Sequence, residues 1–425
     1  MDAADRVVIL NDFSSAEGGA GYLATALAGG LSARGERVTY ICGDAGGCDW
    51  PPGVEAVTLG GQRLLEGRSG AAAMRGLYNR AAAKQVQDWI RVHDTPRTIY
   101  HLHNWSNILS PAIFSALAPL ARRCVIHAHD FFLACPNGTY LDYPRAVPCP
   151  RIPLSASCLA TQCDKRSYAH KLWRSARQQV LLGQLRPHLS EAHFVMIHPA
   201  MRPWLNRAIR PRHMVAIPNP VTPFGTLAAA PEKQRRLAHI GQIQRLKGVF
   251  DLAEAGRRLS VQVDFFGSGE DLGSLSESYP EHKFHGWTDR ATLGHHLQTI
   301  RAVVIGTQSP EPFCLAAFEA AATGVPLILS DAILAAPELV AKGVALPFSH
   351  GNVAALGAVL KRALNDDALI ARLAQTARND GGNLGHDMQG WIADHAALYS
   401  KIRDQDVAQE EHAAPAQNTA RRIAR

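Results

Sequence analysis

Residues 236–266 read RLAHIGQIQRLKGVFDLAEAGRRLSVQVDFF. The opening run RLAHI is short, apolar and stopped by Gly241, as a buried strand would be. GQIQRLKG is polar and basic, a loop, and VFDLAEAGRRL then carries the spacing of an amphipathic helix. VQVDFFG reads as the next strand. Strand, loop, helix, strand is one right-handed crossover unit of a parallel sheet.

The same alternation continues on both sides. Downstream come the turn SGED, a short helix, KFHGW, a helix over 291–300, the strand RAVVIGT (301–307) and the strand VPLILS. Near the start, RVVILNDF is a strand and SSAEGGAG a glycine-bearing loop. A helix opens near Tyr22, with Leu23, Leu27 and Leu31 four apart and Gly35 where a C-cap glycine belongs. RVTYICGD follows as a strand, and two more end at TIYHLHN (98–104) and CVIHAHD (124–130). Between the two series lies the proline-rich AIPNPVTPFGTLAAAPEK (216–233). The expected fold is α/β, with two doubly wound parallel sheets facing a cleft. The expected organisation is a first domain over 1–218, a hinge at 219–235, a second domain over 236–385 and a helix at 386–403. The polar stretch after 403 is expected outside the fold, through 425.

A chain of 425 residues exceeds one hydrophobic core, which agrees with two domains. Its 47% hydrophobic and 19% charged residues are ordinary for a soluble protein. No run of 18 apolar residues occurs, and MDAADRVVIL lacks the order of a signal peptide, so a cytoplasmic protein is expected. The net charge of +7 suits an anionic ligand or membrane surface. Basic stretches such as 68–91 would also suit peripheral contact with anionic lipid. No aromatic-basic stripe accompanies the charge, so nucleic acid is not an expected partner. Of eight cysteines, Cys135, Cys149, Cys158 and Cys163 fall in a long insertion at 131–170. They lack C-x2-C pairs and read as thiols rather than a zinc ribbon.

EPFCLAAFE (311–319) places two carboxylates in an apolar segment just after a strand. Pro312 suits a first helical turn and Gly324 its end, so Glu311 is expected at the helix mouth and Glu319 about two turns in. Both could accept hydroxyl hydrogen bonds from one extended ligand. Lys247 and Arg245, between a strand end and a helix start, stand where amides and helix dipole already favour an anion. Neither SSAEGGAG nor GSGEDL is G-x-G-x-x-G, and G-x4-G-K-[ST] is absent, which argues against a dinucleotide cofactor and a phosphate-loop ATPase. His129 sits at a strand end facing the expected cleft. His101 and His103 read as structural, with a three-histidine metal site as the open alternative that their spacing does not support.

With EGGAG, HLHNW, HDFFLACPNG, IPNPV, HIGQIQRLKGVFDL, FFGSGED, FHGW and EPFCLAAFEAAATGVPLILSD in order, the chain resembles family 4 of the retaining glycosyltransferases, which have the GT-B fold. The resemblance covers nearly all of 6–400, and HLHNW with HDFFLACPNG resembles a subgroup found in bacterial polysaccharide assembly. It implies a nucleoside-diphosphate sugar as donor, a saccharide or lipid-linked acceptor, retention of configuration, and no metal ion or other cofactor. It also implies roles. Glu311 would hold the transferred sugar, Glu319 the ribose, and Lys247 the pyrophosphate with Arg245 as second cation. His129 would orient the donor sugar. Gly18 and Gly19 would bring backbone close to phosphates and acceptor, and Gly286 and Trp287 would flank the base. Gly267, Phe313, Cys314 and Leu315 would complete the donor site. Two departures stand out: Gln242 where relatives have Arg, and Cys314 where E-P-F-G is usual. A nucleotide-sugar epimerase and a non-catalytic scaffold of the same fold are the rival readings.

Overall fold

The computed structural model describes residues 5–15, 18–64, 70–228, 230–380 and 384–423, with side chains in the last helix as far as Asp406. Fifteen strands are described: β1 Arg6–Asn11, β2 Arg37–Cys42, β3 Val54–Thr58, β4 Thr98–Leu102, β5 Cys124–Ala128, β6 Leu141–Asp142, β7 Val147–Pro148, β8 His193–Met196, β9 His213–Ala216, β10 Arg236–Ile240, β11 Val263–Phe266, β12 Lys283–Gly286, β13 Ile300–Ile305, β14 Leu327–Ser330 and β15 Ala345–Phe348. They form two parallel sheets, in the orders β3-β2-β1-β4-β5-β8-β9 and β12-β11-β10-β13-β14-β15, and a small antiparallel β6-β7 pair within the insertion. β1, β4, β5 and β13 are buried throughout, as strands covered by helices on both faces must be.

In each sheet the winding reverses beside the first strand of its series, between β1 and β4 and between β10 and β13. Loops leaving the carboxyl ends of those pairs diverge and open a crevice, the usual ligand position in such sheets. The linker is pinned to the second domain: Phe224 N–H donates to Thr323 Oγ1 at 2.9 Å and Ala228 N–H to the Thr323 carbonyl at 2.7 Å.

The helix Met388–Ile423 lies on the first domain. Trp391, Ile392, Tyr399 and Ile402 join the core formed by Val7, Ile9, Leu27 and Ile99. The expected end of order at 404 falls short, because Asp406 lies 3.4 Å from Arg123 and the helix continues past it. Composition reported a polar segment but not this anchoring charge pair. The basic stretch 68–91 is broken: helices Gly70–Leu77 and Arg80–His93 meet at Asn79, whose Oδ1 caps the second by accepting Ala82 N–H at 3.2 Å. No described helix is long and apolar enough to cross a membrane.

Candidate active site

β10 leads into a tight turn, Arg245–Lys247, and then the helix Val249–Arg258. β13 leads to Glu311 and then the helix Leu315–Ala322. The two loops are fastened together, Gln308 N–H donating to the Leu246 carbonyl at 2.8 Å and Gln308 Nε2 to Asp251 Oδ2 at 3.0 Å. Glu311 is also held by its backbone: its N–H reaches the Ala332 carbonyl at 3.2 Å, and its carbonyl accepts Leu334 N–H at 2.9 Å. Lys247 Nζ then lies 2.8 Å from Glu311 Oε2. Burial works against the ammonium, but the Glu311 carboxylate outweighs it and holds Lys247 above its ordinary pKa. A permanent cation and a half-buried carboxylate thus share the second domain's switch point.

Cys314 joins this pair. It sits at φ +55°, in the left-handed region, at the N-cap of the helix Leu315–Ala322. That conformation is the reason glycine suits the position. Burial, with Glu311 adding to it, pushes the Cys314 thiol well above its usual range. Phe313 points inward, its ring stacked on Phe318 with centroids 4.1 Å apart, so any share it has in ligand binding comes through its backbone. The helix starts at Leu315, three residues after Pro312, so Glu319 is only its fifth residue. The proline reading was displaced by the left-handed turn at Cys314, which the sequence pattern does not announce.

Glu319 is buried and pairs with Arg290, Oε1 to Nη1 at 2.9 Å. Burial raises its pKa, with Arg290 pulling the other way. Arg290 also donates to the Thr222 carbonyl at 2.7 Å and covers Phe224, so the carboxylate is tied to the linker. Arg290 escaped the sequence reading, because a helix-starting arginine after a capping aspartate looks like solvated surface. Gly241, Gly267 and Gly286 stand side by side at the ends of β10, β11 and β12. Gly241 N–H donates to the Phe266 carbonyl at 3.0 Å, and Gly267 N–H to the Gly286 carbonyl at 2.7 Å. A Cβ on Gly267 would fall 1.8 Å from the Gly241 carbonyl oxygen, so only glycine fits. Trp287 next to this row is 79% exposed, a free indole face at the strand ends. Arg245 stacks on Phe250, its Cζ 3.8 Å from the ring centroid, while Lys247 takes Glu311.

In the first domain, Gly18 and Gly19 begin the helix Gly18–Ala33, four residues before the expected start, and added Cβ atoms there would meet nothing within 4 Å. His129 follows β5. Its Nε2 is 3.0 Å from His103 Nδ1, and its ring stacks on His127 at 4.1 Å. Burial lowers its pKa to about 3, so it is a neutral imidazole able to give or take one hydrogen bond. The insertion borders the donor-side loops: Lys165 reaches Glu270 at 2.6 Å, and Tyr143 lies near enough to act on Lys247. The domains meet again at His198, 3.1 Å from Glu338. The four insertion cysteines are buried free thiols. Lys171, 1% exposed, donates to Cys158 Sγ at 3.2 Å.

Residues 228–380 match the model of the family described as glycosyl transferases group 1. No sequence of a curated protein matches the chain. Among solved structures, sucrose-phosphate synthase from Thermosynechococcus elongatus superposes with a TM-score of 0.69 at 16% identity, covering 94% of this chain and 99% of its own. HepE from Anabaena, solved with UDP-glucose, superposes at 0.62 and 17% identity over 93% of this chain and 99% of its own. WaaG, a glycosyltransferase involved in lipopolysaccharide biosynthesis, does so at 0.64 and 15% over 92% of this chain and 99% of its own. At these identities the superpositions establish the fold. Residues 228–380 thus match the domain described as glycosyl transferases group 1, and the chain as a whole has the two-sheet GT-B fold of these solved structures.

Proposed function

We propose that the protein transfers a sugar from a nucleoside-diphosphate sugar to a saccharide or lipid-linked acceptor, with retention of configuration, in cell-surface polysaccharide assembly. The observation that carries this reading is the Lys247–Glu311 pair, 2.8 Å apart at the mouth of the helix Leu315–Ala322. Breaking a glycosyl-phosphate bond leaves negative charge on the diphosphate. A fixed ammonium beside helix amides stabilises that charge without reorganising. Glu311, one oxygen held by Lys247, turns the other to sugar hydroxyls. Glu319 takes the ribose, and the exposed Trp287 and the backbone of Gly286 receive the base. Attack from the face the leaving group vacates lets a diphosphate oxygen collect the acceptor proton. With Lys247 supplying the cation at the leaving group, the reading includes transfer without a metal ion at the donor.

In the first domain a depression of about 300 Å³, lined by Gly43, Gly60, Gln62, Arg63, Arg75 and Asn79, opens at the ends of β2 and β3 and suits a polyhydroxylated acceptor. The donor in the HepE complex and the pathway of WaaG favour UDP-glucose-like donors and envelope polysaccharide.

The test is thermal unfolding of the full chain with UDP, GDP, ADP or dTDP and no added divalent ion. One of them raises Tm by several degrees at saturating concentration. Glu319→Ala weakens that nucleotide about 10- to 100-fold, the worth of a charge-assisted hydrogen bond to a hydroxyl. Glu311→Ala binds it nearly normally but transfers poorly. No response to any nucleotide, in a protein that melts cooperatively, overturns the transferase reading in favour of a scaffold.

A further inference from the structure

The sheet of the first domain holds a second constellation, of which the sugar-transfer reading uses only His129. Strand alternation sends His101 and His103 from β4, and His127 and His129 from β5, to one face. This is the face on which the C-terminal helix lies, and that helix adds His395 and Tyr399. Donor nitrogens of His101, His103 and His127 all lie within 4.8 Å of one another, and all three side chains are buried. The His395 ring is 5.6 Å from those of His101 and His127.

Burial keeps His101, His103 and His127 neutral, the form that binds a metal. In three of the histidines one nitrogen is held and the other has no partner. His103 Nδ1 meets His129, His127 Nδ1 lies 3.3 Å from His101 Nε2, and His395 Nδ1 is 2.9 Å from the Trp391 carbonyl. The Nε2 atoms of His103, His127 and His395 are buried and unpartnered. His101 is itself oriented by the Tyr399 hydroxyl, 2.6 Å from its Nδ1. Unpartnered buried nitrogens are rare and call for an ion or a water. A hydrogen bond on the far nitrogen is the arrangement that orients a metal-bound imidazole.

We propose that His101, His103 and His127 bind a late first-row transition-metal ion such as Zn2+, the ion taking the place of His127 Nδ1 on His101 Nε2, with His395 the candidate fourth ligand. Three donors no more than 4.8 Å apart put an ion at their centre at most about 2.8 Å from each, so each ring closes by up to about 0.7 Å to reach a normal bond. Imidazole-only ligation suits Zn2+, Cu2+ or Ni2+ and disfavours Mg2+ and Ca2+. The ion is structural. It fastens the C-terminal helix to β4 and β5, and through His103 it fixes the tautomer of His129. It is separate from the donor loops, so it is compatible with transfer that needs no metal at the donor.

The experiment strips the purified full chain with chelator, then measures Tm and visible absorption with Zn2+, Co2+ or Mg2+. Zn2+ raises Tm by several degrees, Mg2+ does not, and Co2+ binds one per chain with the intense d–d bands of a tetrahedral site. Because all ligands are nitrogen, the sulfur-to-cobalt charge-transfer band is absent, which separates this site from the insertion cysteines even in the wild-type chain. His127→Gln abolishes the response and Cys158→Ser preserves it. A wild-type chain with no Co2+ spectrum and no Zn2+ shift overturns the proposal. So does a spectrum with the thiolate band, or a response that Cys158→Ser removes.

Discussion

Lys247→Ala is expected to lower kcat for sugar transfer about 10²- to 10³-fold, the usual loss when one preorganised donor to a developing oxyanion is removed. Before reaction the diphosphate is already charged and can be partly satisfied by helix amides. On the proposed reading Lys247 meets the extra negative charge that appears as the glycosyl bond breaks, so kcat should fall more than KM rises. The variant also leaves Glu311 half-buried without its 2.8 Å partner, so a fall of a few degrees in Tm is expected alongside. Lys247→Arg keeps the charge but not the compact ammonium geometry and should recover only part of the rate. Steady-state kinetics on variants with melting curves near wild type separate the two effects. A Lys247→Ala enzyme within threefold of wild-type kcat would remove Lys247 from the chemistry.

Much of this site was legible because its parts are local. The strand ending at Ile240, the loop with Lys247 and the helix after Gly248 announce themselves in one run of sequence, and so does the Glu311–Glu319 segment. That the two segments touch follows from topology, since β10 and β13 are neighbours wherever a doubly wound sheet reverses. Other features were not legible because their causes are remote in the chain. Glu319 meets Arg290, twenty-nine positions away, and the linker carbonyl at Thr222. The helix beginning at Leu315 rather than Pro312 depends on Cys314 accepting a left-handed conformation that its residue type disfavours. The histidine constellation was read as structural because spacing within one strand cannot show that β4, β5 and a helix nearly 300 residues later converge on one face.

Gly248→Ala is expected to cost roughly 2–5 kcal/mol of stability and to lower the activity of what remains folded. Gly248 adopts φ +71°, where an alanine is strained by about 1–2 kcal/mol. The larger obstacle is contact: an added Cβ would lie 2.2 Å from the Gly306 carbonyl oxygen and 2.9 Å from its Cα, and backbone cannot rotate away as a side chain could. The two chains must separate, and they are the loops that bring Lys247 to Glu311. A shift of about 1 Å at that point can cost on the order of 10²-fold in rate, so kcat should fall even after correction for the folded fraction. Gly273→Ala is the matched control. It lies in the helix Leu272–Ser278 with nothing within 4 Å of its added Cβ, and should be neutral or stabilising by up to about 1 kcal/mol. Urea unfolding of both variants, with kcat measured on each, distinguishes a general cost of alanine for glycine from this contact. Equal stability in the two would mean that the β10 and β13 loops can part at little cost, and that the short Lys247–Glu311 distance is not set by the close approach of Gly248 to Gly306.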